Sequence, residues 1–178
     1  MDFSLIHGSI LMFTPDTSSY SQSSEIYYQS LNEQLNALFA DERDLICNAA
    51  QLSAFIMQTI DDLNWAGLYF ARDNELVLGP YVGKVACTRI PFGRGVCGTA
   101  AQTLVVQRID NVHDFSGHIA CDAESASELV IPLVVEGKLV GVFDIDSPVE
   151  KRFSEQDQAG IQAMLDTFVS SCDWQWQF

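Results

Sequence analysis

Three cysteines, Cys87, Cys97 and Cys121, fall within 35 residues of this 178-residue chain. Each stands among turn-forming or polar neighbours: Val-Ala-Cys-Thr-Arg, Arg-Gly-Val-Cys-Gly-Thr and Ile-Ala-Cys-Asp-Ala. A structural cysteine behaves as a small hydrophobe and normally sits inside an apolar run. These three do not, and Arg89 and Arg94 lie close in sequence to Cys87 and Cys97. A nearby cation favours the thiolate, the form that attacks electrophiles. The pattern points to thiol chemistry. Cys121 is the awkward member, because Asp122 and Glu124 disfavour a thiolate there. Its activation has to come from elsewhere in the fold, with Arg89 and His118 as candidates, or only upon substrate binding.

Carboxylates form the second constellation. A strand puts residues i and i+2 on one face, so Asp144 and Asp146 point the same way, opposite Phe143 and Ile145. Glu128 lies just before the partner strand and reaches the same region. Two close carboxylates cannot both ionise cheaply, so one keeps its proton and suits general acid work. The competing reading is a solvated sheet face, although aspartate is disfavoured in strands. Trp65 and Tyr69 sit on a strand as core residues or as the wall of a small apolar pocket, with the indole N–H as a polar handle.

Other chemistries fit less well. Zinc ligands usually include cysteines spaced by roughly two to four residues. Here the spacings are ten and twenty-four residues, with His113 and His118 the only nearby imidazoles, so no metal is expected. Gly93-x-Gly95-x-x-Gly98 matches a dinucleotide fingerprint, but no parallel βαβ unit surrounds it. Cys47, inside a helix, and Cys172, near the chain end, read as inert.

The elements that must position these groups follow from periodicity. Apolar residues Ile26, Leu31, Leu35 and Leu38 mark a helix over 24–40. Asp41 is the expected N-cap of a second helix carrying Leu45, Ala49, Leu52, Ile56 and Ile60. A hairpin follows, with strands at 64–71 and 75–81 around Asp73-Asn74. Residues 83–127 read as loop-rich, with a short helix over 96–102. A second hairpin, 129–135 and 139–146, turns at Glu136-Gly137-Lys138. Ser154 to Asp157 resembles a capping box opening the last helix. Helices and strands segregate, which predicts an α+β fold with a central antiparallel sheet flanked by N- and C-terminal helices. Residues 1–20 read as a possible loose extension, 21–170 as one domain and 171–178 as a tail.

Composition excludes several partners. With 9 Lys+Arg against 24 Asp+Glu the net charge is −15, which argues against nucleic acid and anionic membranes. No run approaches the ~20 apolar residues of a membrane span. No Lys or Arg precedes the apolar Ile10-Leu11-Met12-Phe13, so the start does not read as a signal peptide. An odd count of five cysteines fits poorly with a disulfide framework. The chain reads as cytoplasmic, where thiols stay reduced unless they turn over.

Six segments carry a family resemblance: Asn64-Trp65-Ala66-Gly67-Leu68-Tyr69, Leu78-Gly79-Pro80-Tyr81, Ala86-Cys87-Thr88-Arg89-Ile90, Gly93 to Ala101, His118 to Asp122, and Gly141 to Ser147. Together they resemble the free methionine-(R)-sulfoxide reductases, which are GAF-domain enzymes. The resemblance spans about 21–169. It implies a single GAF domain that reduces free methionine-(R)-sulfoxide, with no cofactor, thioredoxin as reductant and a homodimeric state. It implies Cys121 as nucleophile, Cys87 as resolving thiol and Cys97 as a possible alternative partner. It also implies that Glu128, Asp144 and Asp146 bind and activate substrate, and that Trp65 walls the methyl pocket with Tyr69 beside it. Fold does not fix function, and a GAF ligand-binding or redox-sensing module remains the rival reading. A metal-binding protein using Cys and Asp is a third.

Overall fold

The computed structural model describes residues 13–115 and 124–174. Cys121 and His118 lie outside the described residues.

Helix α1, Ser24–Leu38, begins where the Ser23 hydroxyl accepts the Ile26 N–H. Its buried stripe is Tyr27, Tyr28, Leu31 and Leu35, while Ile26 is exposed. Helix α2, Leu45–Thr59, is capped by Asp44, whose carboxylate accepts the Cys47 N–H at 2.8 Å. The sequence pointed to Asp41 as the cap. Glu42 explains the delay: its carboxylate accepts the N–H groups of Arg43 and Asp44 and winds this stretch into a non-helical turn.

Strands β1, Trp65–Arg72, and β2, Glu75–Gly83, close through Asp73 and Asn74 at φ 47° and 64°. Both are left-handed, as a tight two-residue hairpin requires. The segment read as loop-rich also contains β3, Arg89–Pro91, helix α3, Gly95–Thr103, and β4, Gln107–Ile109. Each of these strands is three residues long, too short to show a period-two pattern. Strands β5, Ser127–Val135, and β6, Lys138–Ser147, form the second hairpin. Helix α4, Glu155–Ser171, opens with a capping box between Ser154 and Asp157.

The six strands form one antiparallel sheet in the order β3-β2-β1-β6-β5-β4. Strand alternation gives the sheet two different faces. Ala66, Leu68, Leu129, Ile131, Phe143 and Ile145 pack beneath α1, α2 and α4, against residues such as Leu52, Ile56, Met164 and Phe168. Trp65, Tyr69, Val130 and Val142 point to the opposite side, where α3 supplies Val96, Cys97, Ala100 and Ala101. The first face is the main core, and the second holds the site.

Both ends of the described chain pack onto the helices. Asp16 N–H donates to Gln34 Oε1 at 2.7 Å, and the Tyr20 ring meets Tyr27 edge-on at 5.3 Å. At the other end, Trp174 lies edge-on to Phe168 at 5.7 Å, and Arg43 pairs with Asp173 at 2.8 Å. No helix among the described residues is long and apolar enough to cross a membrane.

Candidate active site

The site is built from cross-strand rows on the α3 side of the sheet. Glu128 on β5 pairs with Asp146 on β6, which pairs with Trp65 on β1. In the next row facing the same way, Val130, Asp144 and Gly67 align. Directly opposed side chains lie roughly 5 Å apart at Cβ, so the three carboxylates and the indole share one small area. Helix α3 closes this area from above with Cys97, whose Sγ lies 3.8 Å from Glu128 Oε1.

The burial of these groups is unusual for charged side chains. Glu128 is 6% exposed and Asp144 7%. Desolvation, together with the neighbouring Asp144 and Asp146, pushes the Glu128 carboxyl well above its ordinary range. Burial raises Asp144 to about 6, against bonds from Cys97 and Glu128 that favour its charged form. The close pair is therefore Glu128 and Asp144, across two strands. The sequence suggested Asp144 and Asp146; Asp146 shares their face but is only half-buried. Among the described residues, Asp144 Oδ1 is buried and has no hydrogen-bond partner, and a donor from a ligand would complete it.

Cys97 departs from its sequence reading. It is buried in the smaller core, and burial plus Asp144 and Glu128 push its thiol well up. Arg94 does not offset this, so Cys97 is held as a neutral thiol. Arg89 pairs with Glu75, so its guanidinium is engaged on the outer hairpin. Cys87 lies half-buried in the loop between β2 and β3, packed against the smaller core. Cys121 is outside the described residues. Three residues later, Glu124 pairs with Lys84 at 2.6 Å, and Ser125 Oγ accepts from Asn64 Nδ2 at 3.1 Å. Burial raises the Cys172 thiol to about 11, consistent with an inert residue.

A narrow cleft opens between these groups. Trp65 and Tyr69 form its apolar wall, Asp144 and Asp146 its acidic wall, and Lys84 with Val85 and Ala86 its rim. Trp65 is stacked between Tyr69 and Tyr81, with ring centroids at 5.9 and 5.2 Å. Its Nε1 donates to the Lys84 carbonyl at 3.2 Å, so the indole also holds the rim. Sequence reasoning missed Lys84, although its place three residues before Cys87 was visible. Cys97, Glu128 and Asp144 are the described residues able to ligate a cation, with donor atoms within 4.8 Å of one another. They come from three separate elements, which is why ligand spacing in the sequence gave no sign of them.

The fold and this site define a GAF domain, and the GAF domain family model matches residues 48–169. Over 151 residues the chain is 49% identical to the free methionine-R-sulfoxide reductase of Escherichia coli K12, covering 83% of this chain and 92% of that protein. The structure of the free methionine-R-sulfoxide reductase from Neisseria meningitidis in complex with its substrate superposes with a TM-score of 0.80 at 33% identity, covering 90% and 93% of the two chains. A Burkholderia vietnamiensis protein described as a GAF sensor superposes at 0.82 with 52% identity, covering 86% and 97%. The chain belongs to the free methionine-(R)-sulfoxide reductase family of GAF-domain proteins.

Proposed function

We propose that this protein reduces free L-methionine-(R)-sulfoxide to methionine, with thioredoxin restoring the enzyme. The observation that carries this is the buried Glu128–Asp144 pair, of which Asp144 lines a cleft walled by Trp65 and Tyr69. A sulfoxide oxygen leaves sulfur only when protonated or strongly hydrogen-bonded. A carboxyl that keeps its proton at neutral pH supplies that proton, and Glu128 is the group whose surroundings favour it most. Asp144 and Asp146, lining the cleft, suit the substrate ammonium, while the aromatic wall suits the methyl group.

The thiol steps are those the family resemblance implies for the three cysteines. Cys121 Sγ attacks the substrate sulfur; the oxygen passes to Cys121 as a sulfenic acid and methionine leaves. The Cys87 thiol then condenses with that sulfenic acid, expelling water and forming a disulfide. Thioredoxin dithiol reopens it by exchange. Cys97, neutral and beside the carboxyl pair, acts as a hydrogen-bond partner to the acid and a reserve resolving thiol. A dithiol reductant fits a cytoplasmic setting, and the family likeness favours a homodimer.

The test is methionine release from the R and S epimers of free methionine sulfoxide with thioredoxin, its reductase and NADPH. Turnover of the R epimer alone is expected. A folded, reduced protein that turns over neither epimer would favour the redox-sensing reading suggested by the likeness to the sensor protein.

A further inference from the structure

We propose that Lys84 is a specificity-determining residue that takes the α-carboxylate of a free amino-acid substrate. This rests on the reductase reading above and adds the group that separates a free from a peptide-bound substrate. A zwitterionic amino acid presents an ammonium, a carboxylate and a side chain, and needs a complement to each. The acidic wall meets the ammonium and the aromatic wall meets the side-chain end. Among the described residues lining the cleft, Lys84 is the one cation.

Its position is set by other bonds. The Lys84 carbonyl accepts from Trp65 Nε1 at 3.2 Å, which fixes its backbone to the aromatic wall. The ammonium rides on a flexible stem and meets Glu124 at 2.6 Å. An ammonium carries three donors, so it can keep Glu124 and accept a second carboxylate. Glu124 balances its charge. A lysine here is also not background: the chain has three lysines, Lys84, Lys138 and Lys151, and a net charge of −15. A peptide-bound residue carries an amide in place of the carboxylate and leaves this cation without an anion to meet. A site built to pair a substrate group discriminates against the analogue lacking it.

The experiment compares free L-methionine-(R)-sulfoxide with its α-carboxamide, in wild type, Lys84→Met and Lys84→Arg. For wild type, KM is expected to be about tenfold higher for the amide, the scale of one charge-assisted bond at a partly exposed site. Lys84→Met is expected to raise KM for the free acid toward the amide value, closing the roughly tenfold gap between the two compounds. Lys84→Arg is expected to keep part of the preference. A thermal melt of each variant checks folding. Equal loss for acid and amide in Lys84→Met, or equal use of both by wild type, overturns the role of Lys84 and leaves the reductase reading standing. Turnover of neither compound by wild type overturns both.

Discussion

Setting Glu128 and Asp144 side by side in a dry interior works against stability, and the direction of that effect is measurable. A carboxyl with a raised pKa binds more protons folded than unfolded, so stability falls as pH climbs between the two values. For Asp144 the interval runs from its ordinary 3.8 to about 6. Asparagine mimics the protonated form at every pH and removes this loss. Asp144→Asn is therefore expected to melt near the wild-type temperature at pH 4 and several degrees above it at pH 7, with turnover strongly reduced. A melting difference that stays constant from pH 4 to 7.5 would show that Asp144 titrates as an ordinary aspartate. The sequence made the three carboxylates visible, because two aspartates in an apolar strand demand a reason. Which two form the close pair depended on the register of β5 against β6 and on the descent of α3, and neither is written locally. The neutral state of Cys97 was hidden for the same reason: Arg94 is near in sequence, whereas Glu128 and Asp144 are near in space.

At the scale of elements, the shape of the cleft depends on how closely β1 and β2 approach around Trp65. Gly67 stands beside Tyr81, and a Cβ added there would lie 2.3 Å from Tyr81 Cβ and 2.8 Å from Trp65 Cη2. The first clash is with a backbone-fixed atom, so the hairpin or the indole must move. Gly67→Ala is expected to cost about 1–3 kcal/mol, the usual range for overpacking. It is also expected to raise KM, because Trp65 cannot hold both its stack on Tyr81 and its bond to the Lys84 carbonyl. Thermal melting and steady-state kinetics measure the two effects, and an unchanged KM would mean that the indole does not wall the substrate. Elements with full periodic patterns, such as α2, α4 and the two hairpins, were legible in the sequence. Strands β3 and β4 were not, since three residues pair by tertiary placement and not by pattern.

For the whole molecule, the sheet works as a partition. Along β5, Glu128 faces the α3 side while Leu129 faces the helices, and along β6 Asp144 and Ile145 alternate likewise. Changes in the helical layer should thus alter stability without altering the chemistry across the sheet. Gly160 on α4 is a stringent place to ask, because a Cβ there would sit 2.1 Å from Tyr28 Cγ on α1. That tyrosine also donates to Asp157 at 2.6 Å, and Arg152 lies 3.4 Å from the same carboxylate. The tyrosine and arginine help hold Asp157 below its ordinary carboxylate value. Gly160→Ala must push α1 and α4 apart and strain this group, for an expected loss of about 1–3 kcal/mol and several degrees of melting temperature. At 25 °C, kcat and KM are expected to match wild type, since none of the displaced atoms lines the cleft. Altered kinetics in a protein that remains fully folded at that temperature would show that the sheet transmits helix position to Glu128 and Asp144. The two faces would then be one mechanical unit, and the acid pair would owe its geometry to α1 and α4 as well as to α3.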